Sequence, residues 1–213
     1  MKPKVAVFFH HPECSAQSMG GILQSLLESF NVQIFTKEDI KSEFFNGIDM
    51  IAIPGGIGDA DTYHSIFKRK AETEIANYIE KGGRYLGVCM GAYWASHWYF
   101  DILDSVSCVQ YIKQKNASVK RSYSTVIDVK WNDEPQKMFF YDGCTFTGTG
   151  KYATIATYDT GHPMAIIQKK IGLIGCHPES MEFWYTTSKL KKHWHSNQHH
   201  KLLQQFALQL MEQ

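Results

Sequence analysis

A chain of 213 residues, 44% hydrophobic and 20% charged, has the length of one domain and enough apolar content to bury a core, which excludes intrinsic disorder. Its 22 Lys and Arg balance 21 Asp and Glu, for a net charge of +1, so it presents no basic field for nucleic acid. No apolar run approaches the roughly 20 residues of a membrane span.

Lys4 to Phe9 is a β-branched and aromatic run that predicts a buried strand. It has no small-residue cleavage site and does not read as a signal peptide. Apolar residues at 19, 22, 23, 26, 27 and 30 predict a helix over Met19 to Phe30. Strands follow at Val32 to Phe35 and at Met50 to Ile53, the latter stopped by Pro54-Gly55-Gly56. Lys68 to Lys81 predicts a helix with Ile75, Tyr78 and Ile79 on one face, ended by Gly82-Gly83. Tyr85 to Val88 is a fourth strand running straight into Cys89, and Met90 to Tyr99 a short apolar helix. This β-α-β-α order predicts a parallel sheet with helices on both faces.

The second half differs. Val106–Tyr111, Ser124–Trp131, Lys137–Tyr141, Thr154–Tyr158, Met164–Gln168 and Gly172–Gly175 all read as strands, some with hairpin-like separations such as Trp131-Asn132-Asp133-Glu134. They predict a small antiparallel β layer plus the last strands of the main sheet. Ser188 to Met211 is a closing helix. With no repeat, linker or low-complexity stretch, residues 1–213 read as one domain.

Five cysteines, Cys14, Cys89, Cys108, Cys144 and Cys176, are scattered without a C-x-x-C pair. That pattern sets aside a disulfide framework or zinc ribbon and indicates a reducing, cytoplasmic compartment. One of them stands out. In Gly87-Val88-Cys89-Met90-Gly91 a buried strand ends, the cysteine follows and a helix begins, with glycines two before and two after. This is a nucleophile-elbow pattern with Cys in place of Ser. A tight strand-to-helix turn strains the nucleophile, admits only small neighbours and sets the thiol at the sheet's carboxyl edge. The helix start favours thiolate, and the Met90 N–H points toward an oxyanion formed on attack. A structural cysteine at a glycine-rich turn fits this pattern equally well.

Two further features follow predicted strands. In Gly175-Cys176-His177-Pro178-Glu179, His177 is a base for a thiol and Glu179 an acceptor for the other ring nitrogen; taken alone, a surface His and Glu near a proline also fits. Pro54-Gly55-Gly56 exposes successive amides, which makes the Gly56 N–H a second oxyanion donor or simply part of a tight turn.

In this order and at these distances, the three features together resemble the class I glutamine amidotransferase-like superfamily. Within it, the stretches Pro54–Tyr63 and Gly82–Ser96 are most similar to the domain at the N-terminus of fungal-type biotin–protein ligases, which small stand-alone bacterial proteins share. The resemblance runs from the first strand to Glu179. It implies a flavodoxin-like α/β fold and a Cys89–His177–Glu179 triad, with Gly56 and Met90 as the oxyanion hole and Gly55 and Tyr93 against the substrate. Glutamine-hydrolysing members carry Gln four residues after the cysteine, where this chain has Tyr93, and a phenol cannot reproduce an amide's paired donor and acceptor. The protease-like branch has His directly after the cysteine, where this chain has Met90. No biotin-loop run is present, Gly82-Gly83-Arg84 being a helix stop.

The remaining polar groups read as follows. His10, His11, Glu13, Ser15 and Gln17 form a solvated loop, with the crevice rim as the alternative. His193, His195, His199 and His200, among lysines, form a solvated basic face rather than a metal site. Asp59, Asp61, Tyr63 and His64 are a pocket wall or a polar loop. Trp94, Trp98, Tyr99 and Phe100 are core; Tyr93 lies one helical turn from Cys89. The expected activity is hydrolysis of an amide or ester through Cys89, His177 and Glu179, without cofactor or metal. The substrate is a small molecule or peptide-like; neither nucleic acid nor membrane is a partner. The rival expectation is a non-enzymatic binding or regulatory module that retains the same pocket. The aromatics of 181–185 mark a lid or an interface, including that of a homo-oligomer.

Overall fold

The computed structural model describes residues 1–10, 15–56 and 60–213. From the N-terminus the elements are β1 (Lys4–Phe8), α1 (Ala16–Leu26), β2 (Asn31–Phe35), β3 (Met50–Ile53), α2 (Ala60–Ile66), α3 (Arg69–Glu80), β4 (Arg84–Val88), α4 (Met90–Trp94), β5 (Val106–Gln110), β6 (Thr125–Trp131), β7 (Glu134–Phe140), β8 (Cys144–Gly148), β9 (Ala153–Tyr158), β10 (Pro163–Gln168), β11 (Ile171–Ile174), α5 (Ser188–Lys191) and α6 (Gln198–Met211).

The main sheet has nine strands in the order β2-β1-β3-β4-β11-β10-β9-β6-β7. The first five are mutually parallel and the rest are added antiparallel. This is the parallel sheet that the β-α-β-α order predicts and the flavodoxin-like α/β arrangement that the resemblance implies. Alternation along β1 sorts its side chains: Val5 and Val7 pack with Ile22 and Leu26 of α1 and Leu203, Phe206 and Leu210 of α6. Ala6 and Phe8 face the other way, toward Tyr63 and Ile66 of α2, Ile75 and Tyr78 of α3, and Trp94 of α4. Strands covered on both sides need apolar residues at every position, which is why β1 and β3 read as continuous apolar runs.

The structure refines the second half. β10, β9, β6 and β7 extend the main sheet, and only β5 and β8 form a separate small antiparallel sheet. β8 and α2 are the elements the sequence pattern did not mark. In α2 the buried Tyr63 and Ile66 anchor a segment that also holds the polar Asp61, Thr62, His64 and Ser65. The predicted closing helix is broken, because Ser196 and Asn197 take left-handed backbone conformations at φ 49 and 64, a region Asn tolerates better than most residues. α4 stops at Trp94, short of the expected Tyr99. Among the described residues, no helix is long and apolar enough to cross a membrane.

Candidate active site

The carboxyl ends of the parallel strands β1, β3, β4 and β11 lie on one edge of the sheet, where α/β sheets hold their ligands. Cys89 sits between β4 and α4 at φ 50, ψ −104, a conformation that costs a non-glycine residue of order 1–3 kcal/mol. Its N–H donates to the Ile174 carbonyl at 2.8 Å, tying the turn to β11. A side chain at Gly87 would strike the backbone of Gly91, and one at Gly91 would strike the Ile53 carbonyl. The two flanking glycines are therefore steric requirements of the turn.

His177 follows β11 and is anchored by its N–H donating to the Phe139 carbonyl at 3.0 Å. Its Nδ1 lies 2.8 Å from Glu179 Oε1, which leaves Nε2 free of that carboxylate. Burial opposes a charged imidazole, but the Glu179 and Cys89 charges and their hydrogen bonds outweigh it and raise the His177 pKa well above its ordinary value. Trp184 and Phe139 meet the ring edge-on, at centroid distances of 5.3 and 6.0 Å.

Ser18 of α1, unmarked in the sequence, joins two parts of the site. Its Oγ–H donates to Glu179 Oε1 at 2.6 Å while accepting from the Gly55 N–H at 2.9 Å. Removing this hydroxyl strands a buried amide and leaves Glu179 one donor short. Ser18→Ala should cost about 2–3 kcal/mol, a Tm loss of roughly 4–12 °C in a chain of this size, measurable by calorimetry. A loss below about 1 kcal/mol would mean that water replaces the hydroxyl.

Gly55 reaches the cleft, but its N–H serves Ser18 and its carbonyl accepts from the Ser15 N–H at 3.0 Å. It shapes the pocket by lacking a side chain, since a Cβ there would lie 2.8 Å from the His177 ring. Gly56 and Met90 both line the cleft, and the Met90 N–H, first in α4, has no intrahelical partner. α4 is only five residues long, so its dipole adds less at Cys89 than the predicted helix to Tyr99 would.

The cleft measures about 1130 Å³. Its far wall is the turn between β7 and β8, another feature with no sequence signal. The Tyr141 carbonyl lies 3.8 Å from Cys89 Sγ, and Asp142 occupies a left-handed conformation at φ 50. The Gln110 amide donates to the Asp142 carboxylate at 3.0 Å. The Tyr93 phenol donates to the Asp142 and Gly143 carbonyls at 3.3 and 3.4 Å, so Tyr93 fixes this turn as well as lining the cleft. A smaller hollow of about 260 Å³ lies at the opposite end of the sheet around Asp49, Tyr78 and Arg84, and no cysteine or histidine among the described residues lines it.

Ser15 and Gln17 line the cleft, with Ser15 capping α1, rather than lying in a solvated loop. His11, Glu13, Cys14 and Asp59 fall outside the described residues. Asp61, Tyr63 and His64 belong to α2 and do not line the cleft. Cys144 and Cys176 are fully buried and burial pushes both thiols up, whereas Cys108 is half-buried.

The expected solvated face of histidines is also overturned: His195, His199 and His200 are buried, two of them bonded to Ser180, the residue after Glu179. His195 Nε2 bonds the Ser180 hydroxyl at 3.2 Å, His200 Nε2 donates to the Ser180 carbonyl at 3.1 Å, and the His195 and His199 rings stack 4.0 Å apart. Burial, then the neighbouring histidines, push His195 down to about 3; burial, then His200, pushes His199 down to about 4. The unfolded chain takes up these protons near pH 6.5 while the folded one refuses them. Stability therefore falls as pH drops from about 6.5 toward 4, by up to about 1.4 kcal/mol per pH unit for each histidine. His177, raised instead, changes stability only above that window. Urea melts at pH 7 and 5 should show this loss, and His199→Phe should reduce it; an unchanged pH slope in the variant would contradict the assignment.

Residues 7–110 match the family model described as biotin-protein ligase, N terminal. An uncharacterized protein of Chlamydia muridarum (strain MoPn / Nigg) is 29% identical over 146 residues, which are 57% of this chain and 55% of that protein. The chain thus spans about half the length of the curated relative it matches. Among solved structures, PurLQS from Thermotoga maritima is similar with a TM-score of 0.68 and 15% identity, covering 98% of this chain and 99% of that one. A glutamine amidotransferase from the same organism gives 0.66 and 13%, covering 100% and 97%. The fold is that of class I glutamine amidotransferase-like proteins, as the motif set implies.

Proposed function

From a glutamine amidotransferase-like fold whose first half carries the biotin-protein ligase N-terminal pattern, we propose a cysteine-dependent hydrolase of amides or esters, working through a Cys89–His177–Glu179 triad on a small-molecule or peptide-like substrate. The observation that carries this reading is the 2.8 Å His177–Glu179 hydrogen bond behind a strained Cys89. An imidazole with a raised pKa, held by a buried carboxylate, takes the thiol proton. Cys89 Sγ then adds to the carbonyl carbon, and the resulting oxyanion accepts hydrogen bonds from the Met90 and Gly56 N–H groups. The tetrahedral adduct expels the amine or alcohol, which leaves with the proton from His177 Nε2, and a thioester remains on Cys89. Water, losing its proton to His177, attacks the thioester, and collapse releases the acid and the thiol.

4-Nitrophenyl acetate tests the reading. A burst of nitrophenol, with one acetyl group on the Cys89 peptide by mass spectrometry, is the expected result, and Cys89→Ala abolishes both. Acetylation spread evenly between Cys89 and Cys108 would overturn it. Free glutamine should release ammonia more slowly than about one per second, the low end of ordinary turnover, because Tyr93 stands where an amide would hold it. The alternative, a binding or regulatory module, draws on one observation: the Tyr141 carbonyl lies 3.8 Å from the thiol, where an incoming acyl group must be accommodated.

A further inference from the structure

The cleft beside Cys89 is asymmetric in charge. Beyond the His177–Glu179 pair, the one charged side chain among its described lining residues is Asp142; no Lys or Arg contributes. Asp142 is fixed at the left-handed turn whose preceding carbonyl lies 3.8 Å from Cys89 Sγ. Gln110 donates to both carboxylate oxygens from a single amide nitrogen, at 3.1 and 3.0 Å. A carboxylate has about four acceptor sites, so about half of the capacity of Asp142 is unused by these contacts. Tyr99, Phe139, Tyr141, Phe183 and Trp184 supply aromatic rings around the same space, and rings of this kind attract cations and repel anions over their faces.

We infer that the substrate carries a cationic group, an amine or guanidinium, close to its scissile carbonyl, and that Asp142 receives it within this aromatic wall. A free carboxylate at that place meets like charge and no counter-ion. The inference rests on Cys89 as the nucleophile of the proposed hydrolase and names the substrate class for that site. Gln110 acts as a positioning residue that orients the Asp142 carboxylate.

Three methanethiosulfonate reagents provide probes that read charge preference at Cys89 without a known substrate. Each transfers its thiol group to the cysteine sulfur, forming a disulfide and releasing methanesulfinate. The trimethylammonioethyl reagent is cationic, the sulfonatoethyl reagent anionic and the methyl reagent neutral. Rates at Cys89, followed by mass spectrometry of the whole protein and its peptides, are divided by those of glutathione. The cation-to-anion ratio should exceed that of glutathione by about tenfold. Asp142→Asn should bring the ratio down about tenfold. Gln110→Leu should lower it partially. A ratio indifferent to Asp142→Asn overturns the inference, even where the neutral reagent reacts rapidly at Cys89. Conversely, a neutral reagent that reacts no faster at Cys89 than at Cys108 counts against the hydrolase reading, while the effect of Asp142→Asn still reports on the charge of the cleft.

Discussion

In His177→Ala, iodoacetamide modifies Cys89 about tenfold more slowly near pH 6.5, and Cys108 reacts at its original rate. Only thiolate reacts, and loss of His177 removes the acceptor for the thiol proton and the positive charge that favours thiolate, while the weaker nucleophilicity of a stabilised thiolate, with a Brønsted slope of about 0.5, offsets part of the change. Glu179→Gln should give an intermediate rate, because an amide oxygen still accepts the Nδ1 hydrogen bond at 2.8 Å but no longer supplies the negative charge that raises the His177 pKa. Cys144 and Cys176, fully buried, should remain unlabelled throughout. Equal rates in wild type and His177→Ala would show that the imidazole does not activate the thiol and would favour the binding-module reading.

The second large effect separates two adjacent glycines in α1. Gly20→Ala should stabilise the protein by up to about 1 kcal/mol, and Gly21→Ala should destabilise it by at least about 3 kcal/mol. Helix propensity alone favours alanine at both positions by nearly the same amount. Space decides otherwise. A Cβ at Gly20 meets nothing within 4 Å, whereas one at Gly21 would overlap the carbonyl oxygen of Glu179. That carbonyl is backbone and cannot swing aside as a side chain would, so α1 must move away from the segment bearing His177 and Glu179, and overpacking of this kind costs 1–3 kcal/mol or more. Displacing α1 also breaks the Ser18–Glu179 hydrogen bond, whose loss adds to the cost. At 2–4 °C per kcal/mol, the two variants should differ in Tm by roughly 8–16 °C in thermal melts. A Gly21→Ala protein as stable as Gly20→Ala would mean that α1 and the His177–Glu179 segment are not packed as described.

Contiguous residues carried the parts of the site that were legible in the sequence. The elbow at Cys89 needs small residues two positions to either side because backbone atoms pass there, and that demand is written as Gly87 and Gly91 in five consecutive letters. His177 and Glu179 are two residues apart, so their pairing is a local matter. The parallel strands β1, β3 and β4 are buried on both faces and therefore announce themselves as unbroken apolar runs. Other features depend on which distant segments meet. Ser18 and Glu179 are 161 positions apart, and nothing around Ser18 distinguishes it from any other helical serine until α1 is laid beside the loop after β11. Asp142 reads as an ordinary turn residue, and only the pairing of β5 with β8 brings Gln110 to its carboxylate. His195, His199 and His200 look solvated among their lysines because local composition does not report the break at Asn197, where the chain turns and those rings become buried. A sequence fixes backbone conformations that sterics enforce over a few residues; the contacts that orient, charge and enclose this cleft arise from burial between elements far apart in the chain, and burial is a property of the assembled fold.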